Sequence, residues 1–141
     1  MKQVQAVPEA IEALLAEGFW PRDNGAAQLQ NLNSLVSPEA VRAFAPEEAR
    51  LFLYPPPFIT VRDEMAHNRF WSDPRSASSE IDPDRTLIIG DFGLGSDAPI
   101  ALDYSRHSET PSVIRLRWGP DGNHWVEVAP DVRTFVAYLK A

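Results

Sequence analysis

The feature that most constrains this chain is residues 89–104, IGDFGLGSDAPIALDY, where two apolar runs flank a cluster of Gly, Asp and Ser. This pattern is typical of two antiparallel strands joined by a tight, acidic turn. Residues 86–89 supply the β-branched run before the turn, and residues 99–104 supply the run after it. Gly93 and Gly95 are expected to adopt positive φ, because glycine has no Cβ to oppose that conformation.

The length and the composition favour one domain over residues 1–141. A chain of 141 residues with 44% hydrophobic residues is long enough for one real core and too short for two ordinary domains. The absence of cysteine excludes disulfides, thiolate metal sites and cysteine nucleophiles. Pro8, Glu9 and Glu12 stand where a signal peptide has its apolar segment, and no stretch approaches the roughly 18 apolar residues of a membrane-spanning helix. We therefore expect a soluble cytoplasmic protein with no membrane contact.

The charge of the chain bears on its partners. The formal net charge is −7, and the 13 Lys and Arg residues are scattered along the sequence. This balance argues against binding to phosphate backbones, so no direct nucleic-acid partner is expected. An acidic surface favours encounter with basic proteins.

Five segments are predicted as strands of an antiparallel sheet. Residues 112–118 alternate in hydrophobicity, and an Asp-Gly turn over residues 119–123 leads into another apolar run, which is typical of a hairpin. With the turn cluster described above, the pattern predicts strands near residues 51–54, 86–90, 99–104, 112–118 and 124–128.

Capping residues predict the helices around this sheet. Ser37 and Asp131 are placed as N-caps, Gly18 is placed to end a first helix, and Thr60 with Asp63 can cap a short one. The apolar residues of the last helix recur at helical spacing, so this helix is expected to lie on the sheet. The predicted fold class is α+β, a single domain with an antiparallel sheet of about five strands, N-terminal helices and a C-terminal helix packed on it.

Residues 72–85 are polar and contain two prolines, which predicts a mobile loop. Trp20, Trp118 and Trp125 are expected in the core or at its edge. Trp71 directly precedes the polar loop and does not belong to an alternating pattern of apolar residues. It is expected either to anchor the loop or to contact a binding partner.

Three aspartates spaced six residues apart raise the question of a metal site. Asp91, Asp97 and Asp103 could share a hard cation, or each could cap a turn or lie at a solvated edge. A hairpin spreads such residues apart, so turn capping is favoured. The Asp-Phe-Gly at residues 91–93 has none of the companion motifs of a kinase.

The remaining residue types offer no catalytic constellation. His67, His107 and His124 are not at ligand spacing, and the serines of the polar loop have no nearby histidine in the sequence. We therefore expect no catalytic residue, no metal site and no cofactor, and the chain is not expected to be an enzyme.

A series of short motifs stands in order along the second half of the chain: IGD at 89–91, GSD at 95–97, IALD at 100–103, PSV at 111–113, WVEVA at 125–129 and Phe135. This series resembles the signature of the SUKH superfamily. Two further segments, LVSPE at residues 35–39 and LFLYPPPFITV at residues 51–61, resemble one branch of it. The resemblance implies an α+β fold and a protein-binding activity, mostly immunity against nuclease and other polymorphic toxins, with fungal relatives that regulate cell-wall assembly. It implies no catalytic residues.

The resemblance and the acidic balance together lead to one functional expectation. The chain is expected to be a non-catalytic immunity protein that neutralises a cognate, basic, nuclease-type toxin. The alternative is an intracellular regulatory or scaffold protein of the same fold with a housekeeping partner. The residues expected to contact or steer the partner are Trp71, Asp73, Glu80, Asp82, Asp84 and Asp97.

Overall fold

The Gly/Asp stretch forms the centre of an antiparallel sheet. A computed structural model describes residues 7–93, 95–106 and 109–140. In it, strands β3 (Thr86–Asp91) and β4 (Pro99–Asp103) pair antiparallel across the turn, as predicted. The φ angles of Gly93 and Gly95 are 104° and 63°, which confirms the prediction of positive φ at both.

The sheet has six strands in the described part of the chain, and all of them pair antiparallel. β5 (Ser112–Arg117) lies beside β4, and β6 (His124–Ala129) lies beside β5. On the other side, β1 (Phe52–Leu53) and β2 (Ile59–Thr60) both pair with β3, giving the order β1-β3-β4-β5-β6 with β2 next to β3 as well. The sequence predicts five of these strands. β2 is too short for a periodic signal.

The predicted capping residues begin and end the helices. The side chains of Ser37, Thr60 and Asp131 each accept a hydrogen bond from the backbone N–H three residues later, and Gly18 ends the first helix with φ 80°. One short helix has no counterpart among the predictions, although Asp23 caps it in the same way. No helix of the described chain is long and apolar enough to cross a membrane. The helices are α1 (Glu9–Glu17), α2 (Asn24–Gln28), α3 (Pro38–Phe44), α4 (Val61–Met65) and α5 (Val132–Leu139).

One face of the sheet carries the larger core. Ile11 of α1, Val41 of α3 and Phe135 of α5 are fully buried against this face. They meet Leu87 and Ile89 of β3 there. The C-terminal helix therefore lies on the sheet, as predicted.

The opposite face carries a second, smaller core. Val61, Phe70 and Trp71 pack there against Ile88 of β3 and Leu116 of β5. Because both faces are covered, every residue of β3 is buried. An antiparallel strand commonly has one solvated face, and this one has none.

The second core is covered by residues 69–80, which we call the strap. The strap consists of three short 3-10 turns, Arg69–Ser72, Pro74–Ser76 and Ser78–Glu80. The loop predicted at residues 72–85 therefore contains 3-10 turns at Pro74–Ser76 and Ser78–Glu80. Its polar composition does mark turns, but the buried aromatic rings that begin the strap hold those turns against the sheet.

Gly90 provides a test of how closely β1 approaches β3. A Cβ placed on Gly90 would lie 2.5 Å from the backbone oxygen of Phe52, which is far inside van der Waals contact. Gly90→Ala is expected to lower the free energy of unfolding by about 1–3 kcal/mol, because backbone has to shift. Chemical denaturation measures this.

The matched control is Gly25→Ala in α2. Its Cβ would lie 3.4 Å from the Asp23 carboxylate, and alanine is the better helix former. This variant is expected to keep or slightly raise the stability. A Gly90→Ala protein as stable as the unaltered protein would contradict the close approach.

Candidate functional site

Two of the predicted acidic residues, Asp73 and Asp97, lie beside one exposed tryptophan, and a third, Glu80, ends the same strap. Trp118 follows β5 and is 38% exposed. Its ring is stacked on Phe70 at 5.8 Å, and the guanidinium of Arg75 lies 6.0 Å from the ring centre. Its indole N–H donates to the backbone oxygen of Asp97 at 2.9 Å. We call Trp118, Arg75, Asp73, Glu80 and Asp97 the Trp118 surface.

Asp73 positions Arg75. Its Oδ1 accepts from the backbone N–H of Arg75 at 2.9 Å and from Nε at 3.1 Å, and its Oδ2 accepts from the terminal nitrogen at 3.1 Å. These bonds hold the pKa of Asp73 below its ordinary value and raise the pKa of Arg75. Both side chains are exposed, so the pair adds little stability. It orients Arg75 beside Trp118.

Glu80 fastens the end of the strap to β6. Its Oε1 accepts from the backbone N–H of Trp125 at 2.8 Å, and its Oε2 lies 2.8 Å from Nδ1 of His124. The hydrogen bond with His124 holds the pKa of Glu80 below its ordinary value. Since the Trp125 N–H belongs to the outermost strand, Glu80 covers part of the sheet edge.

Asp97 joins the turn after β3 to the start of the strap. Its Oδ1 accepts from the side-chain amide of Asn68 at 3.0 Å, and its backbone oxygen accepts from Trp118. The turn, the strap and the end of β5 therefore meet at one place. This meeting point brings together residues that the sequence places far apart.

Trp71 is not part of this surface. It is 1% exposed and stacks on Trp125 with ring centres 6.1 Å apart. Of its two expected roles, the buried position agrees with anchoring the strap, and a partner cannot reach the ring. The expected partner contact of Trp71 does not agree with this burial. The exposed tryptophan ring beside the strap is that of Trp118, which was expected in the core or at its edge.

Asp82 and Asp84 also lie elsewhere. They precede β3, at the opposite end of that strand from Asp91 and the turn. Asp84 forms an ion pair with Arg62 at 3.1 Å, and Asp82 lies 3.9 Å from Arg85. The polar segment at residues 72–85 therefore contributes two separate acidic groups, of which only the first adjoins Trp118.

Two of the three spaced aspartates cap turns. Asp91 Oδ1 accepts from the Gly93 N–H at 2.6 Å, and Asp103 Oδ1 accepts from the Ser105 N–H at 2.9 Å. Asp103 lies opposite Thr86, so the length of β3 separates it from Asp91. Turn capping at these two positions is confirmed.

The described part of the chain contains no cluster of side chains arranged to bind a metal ion. Within residues 7–93, 95–106 and 109–140, no group of three His, Asp or Glu side chains is placed to hold a metal ion. His67 is exposed after α4, and His124 contacts Glu80. His107 lies outside the described residues. Ser76 donates its hydroxyl to backbone oxygens of the strap, which is a structural role.

A cleft of about 670 Å³ lies at the other edge of the sheet, between α2 and strands β1 and β2. Its central polar group is Gln30, which is 2% exposed. The Gln30 amide accepts from the Leu53 N–H at 2.8 Å and donates to the Leu53 oxygen at 2.9 Å. A side chain thus takes the place of a neighbouring strand on β1. No short-range pattern in the sequence marks this residue.

The same cleft contains a tyrosine–aspartate pair. The Tyr54 hydroxyl donates to Asp91 Oδ2 at 2.5 Å. Burial, and then the charge of Asp91, raise the pKa of Tyr54 well above its ordinary value of 10.0. The cleft's Gln30, Tyr54 and Asp91 are therefore already engaged in holding the sheet edge and the turn.

Removal of the Gln30 amide tests whether it closes the edge of β1. Gln30→Ala is expected to lower the free energy of unfolding by about 2 kcal/mol or more, because it leaves the buried N–H and C=O of Leu53 without partners. Gln28→Ala, an exposed change on the neighbouring α2, is expected to stay within about 0.5 kcal/mol. Equal losses in urea denaturation would count against the role of Gln30.

The raised pKa of Tyr54 predicts a loss of stability at alkaline pH. Above pH 10 the unfolded chain releases the phenol proton while the folded protein retains it, so the free energy of unfolding falls as the pH rises. Tyr54→Phe is expected to flatten this decline. Tyr104→Phe removes a phenol whose pKa is raised by burial alone, and it is expected to flatten the decline less. Denaturation curves across the alkaline range measure both, and a Tyr54→Phe profile parallel to that of the unaltered protein would contradict the assignment.

Comparisons with known proteins identify no relative of this chain. No family model matches the sequence, and no curated protein and no solved structure matches it.

Proposed function

We propose that this protein is a non-catalytic binding domain that neutralises a basic protein partner through the Trp118 surface. The observation that carries the proposal is an exposed tryptophan held beside an arginine, with Asp73 bound to that arginine, Asp97 bound to the tryptophan and Glu80 at the end of the same strap. Tryptophan and arginine dominate the binding energy of protein interfaces. Carboxylates around such a centre attract a basic partner and orient it during encounter.

The rigidity of the Trp118 surface supports this role. Phe70 lies on one side of the Trp118 ring, and the indole N–H is fixed by the Asp97 oxygen. Arg75 is fixed by Asp73. A side chain that is already ordered loses little conformational freedom when a partner binds.

The partner class that we propose is a toxin domain that acts on nucleic acid. Such a domain carries basic residues for phosphate contacts, and the net charge of −7 complements them. The SUKH-like motifs support the same class, and the α+β fold is of the kind that the resemblance implies. The binding domain would act by covering the basic face of the toxin in a one-to-one complex, without bond chemistry.

The ion pairs within the protein indicate which carboxylates attract the basic partner during encounter. Asp73 and Glu80 each have a basic neighbour, Arg75 and His124, but the three carboxylates of the Trp118 surface outnumber the single arginine. Asp82 and Asp84 lie away from this surface. The carboxylates of the Trp118 surface are therefore the ones proposed to attract a basic partner.

Charge neutralisation tests the proposal. An immunity gene is expected to adjoin the gene of its toxin, so the probe is the toxin domain that such an adjoining gene encodes. The triple change Asp73→Asn, Glu80→Gln and Asp97→Asn is expected to slow association by about tenfold at low ionic strength, with the difference shrinking as salt rises. Trp118→Ala is expected to speed dissociation by about tenfold or more. Stopped-flow kinetics with purified proteins measure both.

The matched control is Asp82→Asn with Asp84→Asn, which removes two charges at the other end of β3 and should change the association rate much less. Thermal unfolding of each variant checks that the fold is kept. If no toxin gene adjoins this one, the immunity role is wrong. If the triple variant and Trp118→Ala both bind normally, the Trp118 surface is not the interface.

A further inference from the structure

We propose that the outer edge of β6 pairs with a β-strand of the partner that carries a basic residue opposite Glu127. This inference deepens the proposed function by naming the structural element of the partner. It is tested with a peptide, so that it can fail or succeed independently of the toxin.

β6 is the last strand in the sheet order, and its hydrogen bonding shows which backbone groups face outward. The Trp125 N–H donates to Glu80, which is outside the sheet, so this residue faces outward. Successive residues of β6 alternate in direction up to the β-bulge at Val128, between the pairs Ile114–Glu127 and Val113–Ala129, so Val126, opposite Arg115, faces β5 and Glu127 faces outward again. The N–H and C=O of Glu127 are therefore the next open pairing position.

The coverage of the edge stops just before Glu127. Glu80 takes the outward N–H of Trp125, as a neighbouring strand would. Within the part of the chain that the structure describes, no hydrogen bond or ion pair of the Glu127 side chain is present, and the residue is exposed. A short length of open edge is thus left beside the Trp118 surface, since Glu80 belongs to both.

The side chains around this position decide which strand fits. Val126 and Val128 are half-buried on the face opposite to Glu127, so apolar side chains of an added strand would meet them. A lysine or arginine opposite Glu127 adds a favourable cross-strand pair. The added strand therefore alternates apolar and basic residues.

A second copy of this chain fits the same edge poorly. Two β6 strands paired antiparallel about a twofold axis at the outward residue would place their Glu127 carboxylates opposite each other. Like charges in that position are destabilising. The exposed Glu127 thus disfavours self-association and favours a basic strand.

The test uses two short peptides and isotope-labelled protein. The probes are acetyl-Thr-Val-Lys-Val-Thr-amide and the same peptide with Glu in place of Lys. Nuclear magnetic resonance titration is expected to shift the backbone amide signals of Glu127 and Val128, with the lysine peptide binding about two- to fivefold tighter. Amide hydrogen exchange at Glu127 is expected to be faster than at Val126 in the free protein and to slow when the lysine peptide is bound.

Charge reversal makes the test specific. Glu127→Lys is expected to reverse the preference between the two peptides, while Glu39→Lys, the same change on helix α3, should leave it unaltered. Shifts confined to other regions, or a preference that survives Glu127→Lys, would overturn the proposal. So would concentration-dependent dimerisation with protection of the Glu127 amide, because a second copy would then occupy the edge.

Discussion

Burial of β3 on both faces is the constraint on which the rest of the structure depends. Its side chains alternate between two cores, with Ile89 on the helical side and Ile88 on the other. Helices α1, α3 and α5 supply one cover, and the strap must supply the second. The strap does so with Phe70 and Trp71, which pack there together with Val61 of α4, and the burial of Trp71 fixes where the polar turns of the strap emerge. The Trp118 surface is a result of that covering.

The two edges of the sheet are closed by side chains. Gln30 pairs with both backbone groups of Leu53 at one edge, and Glu80 pairs with the Trp125 N–H at the other. Unpaired strand edges promote unwanted association, and single polar side chains suffice to block short ones. The two closures differ in extent, because Gln30 is buried in a cleft, while Glu80 leaves the following outward position open.

Local signals in the sequence predicted the elements whose causes are local. The caps at Ser37 and Asp131, the positive φ of Gly93 and the β5–β6 hairpin each depend on a few neighbouring residues. The candidate site depends on contacts between distant segments. Arg75 meets Trp118 across more than forty positions, and no short-range pattern marks such a pair. The expectation for Trp71 depended on its polar neighbours in the sequence alone. Packing in the second core buries the ring despite those neighbours.

Two of the attachments between the strap and the sheet use backbone oxygens of the strap. Trp125 donates its indole N–H to the Ser76 oxygen, and Asn123 donates its amide to the Arg75 oxygen. Backbone oxygens are present whatever side chain a residue carries, so these attachments survive substitution of the strap residues that face solvent. The exposed side chains can therefore change while the support beneath them stays the same.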